Sequence, residues 1–196
     1  MEPDEQVPPS LKRKLLRRLL ENLRRSLYEL QASNGIVRGD PSYSGPQFFP
    51  LAKDALYFQS VMRAAKVFDH HPRALSFFKI RDLRPDIVDR IAAERAFDTG
   101  QLDAFASKLR RIRNRALAHD DLDDIRHDRN VWDEQPITGG EFLSSLEFAF
   151  AALDEMLNAE FGERVELLNY TGRDAEELAR LAEDMQLPEK WARQIF

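Results

Sequence analysis

Apolar residues recur every three or four positions along most of this chain, and that spacing predicts helices almost from end to end. Leu16, Leu20, Leu23, Leu27 and Leu30 form the first stripe, with Ser10 as its N-cap and about 20 residues of helix behind it. The stretch from Asn34 to Pro46 holds three glycines and two prolines and reads as the loop that ends this helix. A second stripe, Leu51, Ala55, Phe58, Met62 and Ala65, widened by Val61 and Phe68, predicts a helix over about 47–69, expected to be the most buried of the chain.

His70, His71 and Pro72 break the pattern, and a shorter helix through Leu75, Phe78 and Leu83 runs up to Arg84-Pro85. Pro85 suits the first turn of another through Ile87, Val88, Ile91 and Ala92. After Thr99-Gly100, the residues Leu102, Phe105, Leu109, Ile112, Ala116 and His119 follow at spacings of 3, 4, 3, 4 and 3, which places His119 on an apolar face. Residues 120–140 lack a period and read as a loop. Thr138 and Glu141 have the spacing of a capping box for a helix through Leu143, Leu146, Phe150, Leu153 and Leu157. Arg164 to Leu168 is the one strand-like patch, and two short acidic helices parted by Pro188 follow from Arg173. The expected fold is all-α, with a disordered N-terminus over 1–9, a helical domain over 10–165 and an acidic helical extension over 166–196.

Composition narrows the function classes. With 196 residues, 43% hydrophobic and 32% charged, the chain suits a soluble globular protein, and no apolar run approaches the roughly 18 residues of a membrane span. The absence of cysteine excludes disulfides, thiolate catalysis and Cys-based metal sites. Neither GxGxxG nor GxxxxGK[ST] occurs, so no glycine-rich phosphate loop is present. The first ten residues carry no apolar stretch behind a basic cluster, so no secretory signal is read and a cytoplasmic location is expected. The net charge of −5 conceals a contrast: residues 11–25 hold seven cations against Glu21, whereas residues 154–189 hold eleven acids against three arginines. The basic amphipathic helix fits a nucleic acid or an anionic membrane surface as well as a leucine core with solvated charges.

The densest chemistry lies at Lys108-Leu109-Arg110-Arg111-Ile112-Arg113-Asn114-Arg115-Ala116-Leu117-Ala118-His119-Asp120. Arginine offers a planar fork of donors to phosphate oxygens, and histidine can take or give a proton near neutral pH. Positions 113 and 119 lie about 240° apart and about 9 Å along an ideal helix, so one copy does not close a tight pair; two copies can. Simpler roles fit the same residues. His119 suits a core histidine near the last helix carbonyls, Arg113 a solvated cation, and Asn114 a residue that finishes a helix. Arg115 shares the face of His119 at i, i+4. The aspartates 120, 121, 123, 124 and 128 suggest a calcium loop, but there is no central glycine and Val131 stands at the twelfth position. His70 and His71 are adjacent and poorly placed as co-ligands. No metal and no cofactor are expected.

Arg113-Asn114 followed by His119, with five residues between Arg and His, resembles the signature of the HEPN (higher eukaryotes and prokaryotes nucleotide-binding) superfamily. The Ala118-His119-Asp120 ending and the helix from Phe48-Phe49-Pro50-Leu51-Ala52-Lys53-Asp54-Ala55-Leu56 to Val67-Phe68-Asp69 look most like its abortive-infection branch. The resemblance covers about residues 15–160. It implies a HEPN-like helical bundle with long antiparallel helices and a short helical C-terminal extension. It also implies a metal-independent endoribonuclease or RNA-binding effector, a toxin or anti-phage defence component, with Arg113, Asn114 and His119 catalytic at a homodimer cleft. Asp54, Asp69 and Arg115 would support that site, and Lys108, Arg110 and Arg111 would bind RNA. A protein antitoxin or other partner is a further expectation, and no membrane is. In HEPN toxins paired with a nucleotidyltransferase antitoxin a Tyr follows the His by two positions; Asp121 stands there in this chain, so the resemblance does not extend to that modification. The alternative is a noncatalytic helical protein-interaction module, suggested by the contrast between basic helix and acidic tail.

Overall fold

The computed structural model describes residues 8–40, 47–71, 74, 76–117 and 136–183. Among these the fold is all-α: α1 (Pro9–Gly39), α2 (Phe48–Val67), α3 (Phe77–Leu83), α4 (Pro85–Glu94), α5 (Gly100–Leu117), α6 (Gly139–Phe161) and α7 (Arg173–Glu183). No described helix is long and apolar enough to cross a membrane. The chain divides into two compact units, one of residues 1–25 and 61–167, the other of residues 26–60 and 168–196.

The first unit is built on α6, which packs against α3, α4 and α5. Phe142, Leu146, Phe148, Ala149, Phe150, Ala152, Leu153, Met156 and Leu157 are all buried, so apolar surface wraps nearly the whole helix and it must lie inside. Burial was expected to peak in α2; that helix instead leaves Phe48 and Leu51 each 69% exposed. Thr138 caps α6, its hydroxyl accepting from the Glu141 N–H at 3.1 Å, but the Glu141 carboxylate turns to Lys108. Gly162, at φ 65°, ends the helix in the left-handed region and donates to the Asn158 carbonyl. Leu102, Phe105, Leu109 and Ile112 are fully buried, which is the stripe the spacing in α5 predicts.

Phenylalanines tie these helices together. Phe68, just beyond α2, meets Phe77, Phe78 and Phe105 with ring centroids 5.7, 6.2 and 5.3 Å apart. Phe105 continues to Phe142, and Phe77 to Phe148, which stacks on Phe97 at 4.2 Å. Leu15, Leu16, Leu19, Leu20 and Leu23 of α1 are buried in this unit, and the helix begins at Pro9 instead of being capped by Ser10. Most of the cations on its polar face are paired: Lys12 with Glu160, Arg13 and Arg17 with Glu163, Arg24 and Arg25 with Glu21. Arg164 to Leu168 forms no strand. Arg164 reaches Asp154 and Glu155 at 2.9 and 2.8 Å and the Val165 N–H donates to Asp154, so this backbone is satisfied by side chains and needs no ladder.

In the second unit the later half of α1 lies antiparallel to the earlier half of α2. Ser26 and Ser60, both buried, donate to each other's backbone carbonyls at 2.8 Å, and seven residues further along α1 Ser33 donates to the Lys53 carbonyl at 3.1 Å. Helix α1 does not stop at Asn34; it runs through Gly35 to Gly39. The glycines persist in helix because they are where another backbone comes closest. A Cβ on Gly35 would overlap the Gly172 carbonyl, and one on Gly39 would overlap the Glu176 carbonyl and crowd Ala179. Gly172, at φ 72°, needs both the left-handed conformation and the space, since a side chain there would meet the Gln31 carbonyl. Arg38 seals this contact, donating to the Thr171 carbonyl at 2.7 Å and to Glu176 at 2.9 Å.

Gly35→Ala or Gly39→Ala should therefore cost about 1–3 kcal/mol as overpacking. Gly140→Ala, with open space around it inside a helix, should be neutral or add up to about 1 kcal/mol. Urea unfolding of the three variants checks this; equal effects would contradict it.

Candidate functional site

Helix α5 carries the cationic stretch, and its buried stripe decides which cations face outward. Arg110 and Arg111 are exposed. Lys108 is held by Glu141, its ammonium 2.9 Å from each carboxylate oxygen, so its charge is neutralised at the start of α6. Arg113 is different. It lies two turns beyond Phe105, is only 23% exposed, and donates from Nη1 to the Asp69 carboxylate at 2.7 Å. Asp69 itself sits just past the end of α2, 19% exposed, with its second oxygen accepting the His71 N–H at 3.0 Å.

The electrostatics follow from these contacts. Burial acts to raise the Asp69 pKa, but the Arg113 hydrogen bond, the His71 amide and the positive charge of Arg113 outweigh it, leaving the carboxyl below the ordinary range. The acid is thus ionised at neutral pH and fixes one edge of the guanidinium. Among the described residues, Nε and Nη2 of Arg113 make only long contacts, 3.4 and 3.5 Å, to the Asn114 side-chain oxygen, so toward these residues that edge retains donors for a phosphate. Asn114 is exposed beside it.

Of the other residues singled out by sequence, Asp54 belongs to the second unit, is exposed and pairs with the neighbouring Lys53 at 2.7 Å. His119, the side chain of Arg115, the aspartates of 120–128 including Asp121, and the segment after Pro188 lie outside the described residues. His70 stacks on Phe78 at 3.9 Å with Nε2 3.6 Å from Asp103, while Arg81 covers the same phenylalanine. That ring is engaged in packing. Sequence reasoning missed a cavity of about 310 Å³ that has Asp69 in its wall together with Arg18, Asn22 and Lys66. The available signals were the i, i+3 spacing of Lys66 and Asp69 and the position of Arg18 on the stripe of Leu15 and Asn22.

Residues 11–180 match the family model HEPN_AbiU2, described as AbiU2. The chain belongs to that family. The match runs from the first turns of α1 into α7, so the HEPN assignment covers not only the bundle but also most of the acidic helix that the motif-based resemblance left out. No curated protein and no solved structure matches the chain.

The lowered Asp69 pKa has a defined sign. The stability that ionised Asp69 contributes is present above the ordinary carboxyl pKa of 3.8 and is lost as pH falls through the lower folded value. Asp69→Asn should cost about 1–3 kcal/mol at pH 7, and the gap from the parent should close as the pH falls below 3.8 and through the lowered folded value. Urea titrations at several pH values measure it; a pH-independent gap would contradict the pairing.

Proposed function

We propose that the chain is a metal-independent endoribonuclease of the abortive-infection type, acting in the cytoplasm as a homodimer whose two α5 helices line one cleft. The observation that supports it is Arg113: a partly buried arginine, fixed by Asp69 along one edge, with Asn114 next to it and His119 six residues on, in a HEPN_AbiU2 chain. A guanidinium positioned before substrate arrives loses little freedom on gripping phosphate.

In this reading His119 of one copy takes the proton of a ribose 2′-hydroxyl, and the oxygen attacks the adjacent phosphorus. The bond to the 5′-oxygen breaks, and that leaving oxygen receives a proton from the second copy's His119, now acting as acid. Arg113 and Asn114 donate to the non-bridging oxygens as negative charge grows there. The products are a 2′,3′-cyclic phosphate and a 5′-hydroxyl. Arg110 and Arg111 extend the cationic edge for flanking phosphates, and Arg115 adds a cation to the same stretch. Lys108, held by Glu141, contributes less. This reading makes the chain a toxin or anti-phage defence component, with a protein antitoxin or another protein as its partner.

Incubation with RNA in the presence of chelator should give fragments ending in 2′,3′-cyclic phosphate. His119→Ala and Arg113→Ala should each slow cleavage about 10²–10⁴-fold, and DNA, lacking the 2′-hydroxyl, should resist. Cleavage untouched by both substitutions would overturn the site. Absence of cleavage, with a protein partner retained by His119→Ala, would favour the interaction-module reading.

A further inference from the structure

The cavity beside Asp69 has a composition that the cleavage reaction does not account for. Leu15, Arg18, Leu19 and Asn22 present one stripe of α1 to it, and Lys66 and Asp69 close it from the end of α2. Leu15 and Leu19 are 6% and 4% exposed, so the floor is apolar. Arg18 and Lys66 stand at the rim, both exposed. Five of the seven cations along residues 11–25 are neutralised by Glu21, Glu160 or Glu163, but Arg18 has no carboxylate partner among the described residues, and neither has Lys66.

From this arrangement we infer that the cavity is a nucleotide subsite, holding one nucleotide of an RNA strand beside the phosphate gripped by Arg113. The inference deepens the ribonuclease reading and rests on it for the identity of the strand. Two unpaired cations at the rim fit the phosphate. A bare anion would leave the leucine floor unused, whereas a base lies on an apolar surface with the Arg18 guanidinium able to stack on it. Asn22 offers a donor and an acceptor to a base edge, the pairing that distinguishes bases. At about 310 Å³ the volume falls at the lower end of ligand pockets and suits a single nucleotide. The carboxylate in the wall does not repel the ligand's charge strongly, because Arg113, which does not line the cavity, already compensates Asp69.

Calorimetric titration of the full chain with adenosine 3′-monophosphate, adenosine and inorganic phosphate tests this, with RNA cleavage measured in parallel. The nucleotide should bind at least about tenfold more tightly than either fragment, and Arg18→Gln and Lys66→Gln should each weaken it about tenfold. Both side chains are exposed, so thermal melting of each variant should match the parent and confirm folding. Phosphate binding as tightly as the nucleotide, no nucleotide binding, or binding indifferent to both substitutions would each overturn the subsite. Nucleotide binding lost in the variants without any RNA cleavage would leave the subsite standing and remove the ribonuclease, while cleavage without nucleotide binding would do the reverse.

Discussion

The position of Phe68 is the constraint on which the first unit depends. It is the first residue after α2, fully enclosed, and its ring meets three others from α3 and α5. Burying a phenylalanine is worth about 1.5–3 kcal/mol, and inclined ring pairs add roughly 0.5–1.5 kcal/mol, so the joint outweighs any exposed ion pair nearby. Because Phe68 seats against Phe105, the height of α5 against the end of α2 is set. Arg113 emerges about 12 Å further along α5, where its side chain reaches the residue after Phe68, Asp69. A contact in the core thus brings Arg113, among the described arginines of a crowded basic stretch, to an anchoring carboxylate.

Charge acts after packing, by selection. Read linearly, the N-terminal helix presents a broad basic face and the later chain a broad acidic one. Folding brings carboxylates of the later segment, Glu160 and Glu163, onto Lys12, Arg13 and Arg17, while Glu21 takes Arg24 and Arg25 within the helix. Exposed pairs of this kind add little stability, at most about 1 kcal/mol each. Their effect is to cancel charge along much of α1, while Arg18 and Lys66 around one cavity and Arg110 and Arg111 on α5 remain exposed cations without a carboxylate partner among the described residues.

Much of the fold was legible because a helix of ordinary residues declares its buried face by period. Leu102, Phe105, Leu109 and Ile112 gave α5, Pro85 gave the start of α4, and Thr138 gave the cap of α6. The errors came where tertiary contact overrides local signal. Gly35 and Gly39 read as loop because glycine is a poor helix former, yet both are helical because a neighbouring backbone occupies the space a side chain would need. Leu51, at the start of the α2 stripe, read as buried with the rest of it, but period alone says which face is apolar and not whether anything covers it. Arg164 to Leu168 read as a strand-like patch, while Arg164 and the Val165 N–H turn to Asp154 and Glu155. At the site, the motif pointed to Arg113, Asn114 and His119 as one set. That Asp69 meets Arg113 depends on where α2 ends in space, and the cavity walled by Arg18 and Lys66 joins residues 48 positions apart, a distance no spacing rule spans.

The central claim is that Asp69 holds Arg113, and a double-mutant cycle measures it most directly. Unfolding free energies of the parent, Asp69→Ala, Arg113→Ala and the double variant isolate the pair from the packing each side chain also provides. An interaction energy of about 1 kcal/mol or more is the predicted result, as expected for a charged hydrogen bond at a partly buried site. Additivity within about 0.3–0.5 kcal/mol would contradict the account, leaving Arg113 no better anchored than the exposed arginines beside it.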